Sequence, residues 1–335
     1  NKGSVFTTFA CGGGSTMGYK LAGFDVIGMN EIDPKIAKVY EKNHNPKFKF
    51  IESIETLKDK PNLPKELFEL DILDGSPPCS SFSMSGNRQK DWGKEKKFKE
   101  GQVKQILDRL FYDFIDLANR LQPKVVISEN VSGLMWGDAI KYVREIYDSF
   151  DNAGYYCQHF VLDASTMGVP QRRKRVFFIC LRKDIGAKFL YQHDMFTLLP
   201  KIKMEFKQKP IPFSLIQDKI ELSERKEITP SYFKHWENSN SESGRSYETK
   251  NNTKFGFFYK AMKKLVMATI TSGGQYAIAD APFLLSQDEL AKCGSFPLDY
   301  DYCDVDPQYL IGMSVPPLMI KNVVDQIYNQ WLSKL

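Results

Sequence analysis

The sequence predicts an α/β protein whose main domain is a doubly wound, mainly parallel sheet. Residues 5–9 are rich in β-branched and aromatic side chains and run into a glycine turn, after which apolar residues adopt helical spacing. Strand-length apolar segments then alternate with amphipathic helices as far as about residue 182. A sheet of this kind binds its ligands beyond the carboxyl ends of the strands.

The predicted elements follow one another regularly. A second apolar segment at residues 24–29 is followed by Pro34, which suits the first turn of a helix. Further strand segments are predicted at residues 70–73, 125–127 and 176–181, and further helices at residues 103–114 and 140–150. The residues singled out below for chemistry lie beside the ends of these strands.

The character of the chain changes near residue 183. Residues 183–264 lack clean helical periodicity and mix prolines, lysines and aromatic residues, which predicts a smaller, loop-rich unit. Residues 316–332 return to a strongly amphipathic helix, which we expect to pack on the first domain. We therefore predict a first domain at residues 1–183, a second domain with a hinge at 184–304, and a C-terminal segment at 305–335 that packs back on the first domain.

Composition sets limits on the function. A chain of 335 residues with 42% apolar and 26% charged residues is typical of a globular protein of one large or two moderate domains. No apolar run approaches the roughly 20 residues that span a bilayer, and no signal-peptide pattern opens the chain, so we expect a cytoplasmic protein with no membrane partner. Six scattered cysteines without a CxxC pair argue against a disulfide framework and against a structural metal site. The net charge of +5 suits a polyanion only where the basic residues cluster.

The segment Gly75-Ser76-Pro77-Pro78-Cys79-Ser80 presents a thiol on a rigid turn. The two prolines cannot extend a strand, so the chain leaves the preceding apolar segment abruptly. Cys79 is then held where a ligand can reach it, as a nucleophile must be. The alternative is a small buried cysteine with no chemical role.

A glycine turn at Gly12-Gly13-Gly14 lets a ligand approach the backbone at a helix N-terminus. Glu31 ends the next predicted strand and can hold ribose hydroxyls. These two features fit a nicotinamide dinucleotide, a flavin or S-adenosylmethionine, and the departure from GxGxxG spacing favours the last. A plain turn and a solvated glutamate are the alternative.

Two charged features flank other strands. Glu129 directly follows the buried run that ends at Ser128, where a carboxyl group can serve as a general acid, although strand-end glutamates also act as caps or surface charges. Residues 171–175 read Gln-Arg-Arg-Lys-Arg, and in an extended segment Arg173 and Arg175 point to one face. They enter one site or form a solvated basic edge. The basic segment at residues 88–99, which also holds two aromatic residues, suits a phosphate backbone or is a solvated excursion.

Taken in order, these motifs resemble the cytosine-5 DNA methyltransferases of bacterial restriction-modification systems. The resemblance spans nearly the whole chain outside residues 183–264. The matching motifs are residues 9–14, Glu31, Pro78-Cys79, Glu129-Asn130-Val131, residues 168–175, Thr269-Ile270 and residues 312–316. The order of the motifs is more specific than any one of them.

The resemblance implies a class I S-adenosylmethionine-dependent methyltransferase fold, with residues 184–304 containing the target-recognition domain. It implies catalytic roles for Cys79, Glu129, Arg173 and Arg175. It implies S-adenosylmethionine contacts from Phe9, Ala10, Cys11, Gly12, Gly13, Gly14, Glu31, Ile32, Ser53, Ile54, Pro78, Leu110, Ser314 and Val315. It implies contacts with DNA from Ser85, Arg88, Lys90, Arg172, Thr269 and Ile270.

The chain departs from the family pattern at a few positions. A cysteine, a serine and a methionine replace the usual glycine, glutamine and asparagine at Cys11, Ser80 and Met313. The family has arginines where this chain has Asp288 and Lys292, and an acidic residue near Ser53. The changes at Cys11 and Ser80 remove no reacting group.

The mechanism implied is covalent. Cys79 adds to C6 of a cytosine flipped out of duplex DNA, Glu129 assists at N3, Arg173 stabilises O2 and Arg175 supports the pocket. We expect a monomer, with any cognate restriction endonuclease acting separately. Three alternatives stay open: a tRNA cytosine-5 methyltransferase of the same fold, a catalytically silent DNA-binding module and a dinucleotide-dependent oxidoreductase.

Overall fold

A computed structural model describes residues 1–78, 109–137, 139–194, 197–239 and 258–335. The chain forms two compact units. The first comprises residues 1–162, 174–205 and 321–335, and the second comprises residues 163–173 and 206–320. The functional division predicted at residues 183 and 304 stays a prediction, because the two units are defined by compactness alone.

The first unit is built on a seven-stranded sheet. Its strands are β1 (Ser4–Thr8), β2 (Asp25–Asn30), β3 (Phe48–Phe50), β4 (Ile72–Gly75), β5 (Val125–Val131), β6 (Tyr155–Asp163) and β7 (Lys174–Arg182). The spatial order is β3-β2-β1-β4-β5-β7-β6. The pairs from β3 to β5 are parallel, and β7 runs antiparallel to β5. The predicted α/β class with a mainly parallel sheet is confirmed.

The helices connect these strands. They are α1 (Gly14–Ala22), α2 (Pro34–His44), α3 (Ile54–Asp59), α4 (Leu110–Leu121) and α5 (Ala139–Asn152), and the short α6 (Lys183–Gly186), β8 (Leu190–Gln192) and β9 (Leu198–Pro200) follow β7. Pro34 begins α2 as the sequence predicts, and Asp33 caps that helix by accepting from the amides of Lys35 and Ile36. Of the helix predicted at residues 103–114, residues 103–108 lie outside the described part of the chain.

Helices cover the sheet on both faces. Phe6, Leu73 and Val126 are register neighbours, and they share a core cluster with apolar residues of α3, α4 and α5. Because successive side chains of a strand alternate, the next residue of β4, Asp74, points to the opposite face. There it accepts a hydrogen bond from Tyr19 of α1. The sheet is therefore doubly wound.

The second unit has little regular structure among its described residues. It contains α7 (Pro230–Asn238), the parallel pair β10 (Phe258–Ala261) and β11 (Gln275–Ile278), α8 (Gln287–Gly294), α9 (Pro307–Met313) and the start of α10 (Pro317–Gln330). Arg225 donates through both terminal nitrogens to the Glu289 carboxylate at 2.7 Å, and both side chains are buried. Arg225 thus supplies a guanidinium in a region where the chain lacks the family's arginines, while Lys292 pairs with Asp218.

The C-terminal residues belong to the first unit from residue 321 onward. Lys2 forms an ion pair with Asp325 at 2.9 Å, and Tyr328 meets Phe24 edge to face. The Trp331 indole donates to a backbone carbonyl in the first unit at 2.9 Å. Among the helices that the described ranges contain, none has the length and apolar character needed to cross a membrane.

Candidate active site at the carboxyl end of the sheet

The turn between β1 and α1 holds three residues in the left-handed region of backbone conformation. Phe9, Cys11 and Gly13 have φ of 51°, 48° and 91°. The Ala10 amide donates to the Asn30 carbonyl at 3.0 Å, which joins the turn to the end of β2. Gly13 is the N-cap residue directly before α1, and its positive φ would strain any residue with a side chain. The turn therefore presents backbone rather than side chain at the helix N-terminus, where Gly12, Gly13 and Gly14 are buried.

Glu31 ties this turn to the start of α2. Its carboxylate accepts from the Cys11 amide at 2.8 Å and from the Asp33 amide at 3.0 Å, and the side chain is buried. Burial raises the pKa of Glu31, while the amides of Asp33, Cys11 and Ile32 act in the opposite direction. A carboxylate has about four lone-pair sites, so these three amides leave one that can accept from a ligand hydroxyl.

A buried histidine, His44, contacts the backbone of the glycine turn. His44 lies at the end of α2, and burial, together with the charge of Lys20, lowers its pKa to about 3 against an opposing contact with the Gly13 backbone. The His44 ring lies 4.8 Å from that of Tyr40, whose hydroxyl is 2.7 Å from the Thr16 hydroxyl. A neutral His44 therefore packs against the turn that is predicted to hold the cofactor.

The remaining predicted cofactor residues separate into two groups. In the first unit, Ile54 and Leu110 are buried in one apolar cluster against which Phe9 packs. Ser53 caps α3 by accepting from the Thr56 amide at 3.2 Å. Ser314 and Val315 belong to the second unit and are buried there. The Ser314 hydroxyl donates to the Leu310 carbonyl at 2.8 Å.

The described part of the cysteine turn is held by its neighbours. A side chain at Gly75 would meet Phe114 at 2.5 Å and the Thr8 hydroxyl at 2.6 Å, so only glycine fits where β4 ends. The Asn130 side-chain amide donates to the Pro77 carbonyl at 3.0 Å. The motif around Glu129 thus holds the turn at Pro77. Five of the predicted or noted residues lie outside the described ranges: Cys79, Ser80, Ser85, Arg88 and Lys90.

Glu129 forms an ion pair with Arg175. The Arg175 Nε lies 2.8 Å from the Glu129 Oε1, and the Glu129 side chain is only 9% exposed. The antiparallel pairing of β5 with β7 sets this contact, because Val131 lies opposite Arg175. Burial lowers the pKa of Arg175, and the charge of Glu129 opposes that effect. The site therefore holds a carboxylate and a guanidinium that both lie largely out of water.

Arg173 has different partners from Arg175. Its two terminal nitrogens donate to the carbonyls of Ile270 and Gly312, each at 2.9 Å, and its side chain is buried. These contacts lie within the second unit. The role of Arg173 at the substrate O2 stays a prediction, while these two donors of its guanidinium bind two backbone segments.

The residues of the second unit that are predicted to contact DNA differ in their exposure. The backbone of Arg172 pairs with Met267 and accepts from the Thr269 hydroxyl at 2.6 Å, while its side chain is exposed. Ile270 is fully buried, its amide donates to Gln171 at 2.9 Å and its carbonyl accepts from Arg173. The buried position of Ile270 does not favour the predicted contact with DNA. Ile270 packs in the interior of the second unit, and its backbone binds Gln171 and Arg173.

Sequence reasoning missed a buried carboxyl group at the end of β4. Asp74 is 2% exposed and accepts from the Thr7 hydroxyl at 2.8 Å and the Tyr19 hydroxyl at 2.9 Å. Burial raises its pKa to about 7, the two hydroxyls act to lower it, and the charge of Glu129 raises it. The signal was present: an acidic residue ends an apolar strand directly before the Gly-Ser-Pro-Pro turn.

Comparison with known proteins identifies the family of the chain. The pattern of the family described as C-5 cytosine-specific DNA methylase matches residues 4–329. The chain is 33% identical over 184 residues to the Type II methyltransferase M.FnuDI of Fusobacterium nucleatum, covering 54% of this chain and 48% of that protein. It is 32% identical over 192 residues to M.NgoPII of Neisseria gonorrhoeae, covering 57% and 51%. The chain spans about half the length of these curated relatives.

A solved structure supports the same fold. The superposition of this chain on the S. pombe Dnmt2 methyltransferase covers 98% of each chain, with a TM-score of 0.62. The two sequences are 14% identical, so this similarity shows the fold alone. The family pattern, in contrast, extends from the first strand of the sheet to the last long helix. The chain therefore belongs to the C-5 cytosine-specific DNA methylase family.

Proposed function

We propose that this protein transfers a methyl group from S-adenosylmethionine to C5 of a cytosine flipped out of duplex DNA. The observation that carries the proposal is the contact of Glu129 with Arg175 beside a turn that Asn130 holds through Pro77. A carboxyl group and a guanidinium at this position suit the N3 and O2 edge of a pyrimidine. Membership of the family supplies the reaction class.

The residues at the ends of β1 and β2 fit S-adenosylmethionine. Glu31 offers buried carboxylate lone pairs to ribose hydroxyls, and the buried Gly12, Gly13 and Gly14 carry no side chain that would keep a ligand from their backbone. We assign cofactor contacts to these residues and to Phe9, Ala10, Cys11, Ile32, Ser53, Ile54, Pro78, Leu110, Ser314 and Val315. When bound, S-adenosylmethionine supplies an electrophilic sulfonium methyl group.

Cys79 is the proposed nucleophile. C5 of cytosine is a poor nucleophile because the ring is aromatic and electron-poor, and addition of a thiolate to C6 breaks that aromaticity. The C5 carbon then resembles an enamine carbon and can accept the methyl group. Loss of the C5 proton expels the sulfur and restores the ring. A free thiol has a pKa of about 8.5, so nearby positive charge is expected to favour the thiolate.

Glu129 and Arg175 are proposed to stabilise the charge that develops on the cytosine ring. Glu129 donates a proton or a hydrogen bond at N3 while sulfur adds to C6, and it accepts from the N4 amine. A guanidinium has five N–H donors, and Glu129 and the Lys174 carbonyl take two of those of Arg175. The others can reach O2. We therefore transfer to Arg175 the role at O2 that the sequence suggested for Arg173.

The target base must leave the stack before any of this chemistry, which opposes binding by a few kcal/mol. The segment around Ser85, Arg88 and Lys90 is proposed to contact the extruded nucleotide and its phosphates, together with Arg172 and Thr269. Aromatic and basic side chains of the second unit, such as Tyr232, Phe233 and Trp236, are proposed to face the major groove and select the sequence.

Labelled S-adenosylmethionine tests the proposal. We expect label on duplex DNA with the parent protein and none with Cys79→Ser. Label on tRNA alone would indicate an RNA methyltransferase, specific duplex binding without label a silent module, and nicotinamide binding without label an oxidoreductase. A restriction-modification role with a separate endonuclease, a cytoplasmic location beside the DNA and a monomeric state are parts of the same proposal.

A further inference from the structure

A pair of buried thiols lies between two neighbouring strands at one side of the seven-stranded sheet. Cys157 belongs to β6 and Cys180 belongs to β7. The Cys180 thiol donates a hydrogen bond to the Cys157 Sγ, and the two sulfurs are 2.8 Å apart. Both cysteines are free, Cys157 is 8% exposed and Cys180 is 0% exposed. The proposed methyl transfer uses neither of them.

The register of β6 and β7 places the two cysteines directly opposite each other. The Lys183 amide donates to the Gly154 carbonyl at 2.8 Å, and the Ala164 amide donates to the Arg173 carbonyl at 3.0 Å. The two strands are therefore antiparallel. Counting inward from either of these hydrogen bonds pairs one cysteine with the other. Both side chains also belong to the same apolar cluster, so they point to the same face of the sheet.

The position of the pair in the ladder suits a covalent bond. Hydrogen-bonded and non-hydrogen-bonded positions alternate along two antiparallel strands. Cys157 lies three residues after the hydrogen-bonded Gly154, so it occupies a non-hydrogen-bonded position. Cα atoms at such positions are about 4.5 Å apart, within the span of about 4.4–6.8 Å that disulfides bridge. A bond between the two sulfurs therefore requires no change in the path of either strand.

We propose that Cys157 and Cys180 form a modification site, at which hydrogen peroxide oxidises the two thiols to a disulfide. The Cys157 thiolate attacks one peroxide oxygen, the O–O bond breaks, and the other oxygen leaves as hydroxide, which takes the proton that Cys157 lost. The Cys180 sulfur then attacks the sulfenic acid on Cys157, the S–O bond breaks, and the departing hydroxide takes the Cys180 proton. The thiols lose two electrons, the peroxide gains them, and two molecules of water form.

The surroundings of the two thiols assign the first step to Cys157. Among the described residues, β6 is an edge strand of the sheet, and local opening at an edge breaks fewer contacts than opening of a central strand. The hydrogen bond that Cys180 donates also favours a thiolate on Cys157. A sulfenic acid without a second thiol oxidises further to sulfinic acid, which thiol reductants do not reverse. The pair therefore keeps the oxidation of Cys157 reversible.

Peptide mapping tests the proposal. The folded parent protein is treated with hydrogen peroxide, its remaining thiols are alkylated, and it is digested with trypsin without reductant. Cleavage after arginines releases residues 145–172 and residues 176–182, each with one cysteine of the pair. We expect these two peptides to be joined, with the mass of two hydrogen atoms lost, and dithiothreitol to separate them. Two separate peptides, whether alkylated or oxidised to sulfinic acid, or a link from either peptide to another cysteine, would overturn the proposal.

Two serine variants show which thiols the link needs. In Cys180→Ser we expect no linked peptide, and Cys157 should gain two oxygen atoms as sulfinic acid. The matched control is Cys293→Ser, which removes another fully buried thiol and should form the link as the parent does. Loss of the link in the folded control would contradict the assignment to this pair. Mapping of the parent decides the proposal if Cys180→Ser fails to fold, and its readout is independent of methyl transfer.

Discussion

Two buried glutamates lie near the carboxyl ends of β2 and β5 in the same sheet, and they are held in different ways. Glu31 at the end of β2 accepts from two backbone amides, and Glu129 in β5 pairs with the side chain of Arg175. Each is 8% exposed. Backbone amides are fixed dipoles without net charge, whereas the partner of Glu129 is the charged guanidinium of Arg175. Glu31 is thus suited to binding, and Glu129 to proton transfer.

The largest effect is expected at Glu129. Glu129→Gln keeps the shape of the side chain and removes its acid function, so single-turnover methyl transfer should fall by about 10²- to 10⁴-fold. Affinity for S-adenosylmethionine should change little, because Glu31 and the glycine turn are untouched. If Glu129→Gln lost affinity for S-adenosylmethionine by the same factor as it lost rate, the two glutamates would not have distinct roles.

The two arginines sharpen the comparison. Arg175→Lys keeps a charge but loses the planar donor set, and we expect about a 10- to 100-fold loss of kcat with little change in thermal stability. Arg173→Lys leaves two buried carbonyls without their partner, and we expect a lower melting temperature corresponding to about 1–3 kcal/mol. Calorimetry and initial rates on both variants separate the roles. If Arg173→Lys lost as much activity as Arg175→Lys without losing stability, Arg173 would take part in the reaction.

Glu31→Gln should act on binding alone. A glutamine nitrogen would face one of the two amides that now donate to the carboxylate, so we expect affinity for S-adenosylmethionine to fall by about tenfold. The maximal rate at saturating cofactor should stay within about twofold of the parent. Equilibrium titration and rate measurements decide between these effects, and a large fall in maximal rate would contradict a binding role.

The smallest effect concerns stability against acid. The pKa of His44 is lowered to about 3 in the folded protein, so the unfolded chain takes up a proton first as pH falls. The stability that depends on neutral His44 is present above about pH 6.5 and is lost progressively toward pH 3. His44→Gln should therefore lose less unfolding free energy between pH 7.5 and 4.5 than the parent, as urea titrations can measure. An identical loss in the parent and in His44→Gln would show that the pKa of His44 is the same in the folded and unfolded protein.

The sequence predicted the alternation of strands and helices because apolar spacing and turn residues act locally. It placed Arg173 and Arg175 on one face because it assumed a single extended segment, but β7 begins at Lys174. Arg173 precedes the strand and bonds to carbonyls about 100 residues or more away in sequence. Local patterns carry no information about such partners.

The same limit explains Ile270 and Asp74. Burial of Ile270 and use of both its backbone groups depend on Gln171 and Arg173 across the fold. Asp74 depends on Tyr19, 55 residues away in sequence, and on a register that only the sheet defines. Motif order identified the family correctly because the order of the strands along the chain determines which residues meet at the sheet's carboxyl edge.

The central claim is that a cytosine in DNA receives the methyl group through Cys79 and Glu129. Bisulfite sequencing of DNA from cells that express the parent protein, Cys79→Ser or Glu129→Gln tests it most directly. We predict protected cytosines in one sequence context with the parent and none with Cys79→Ser. Unprotected DNA with the parent protein, or equal protection with Cys79→Ser, would contradict it.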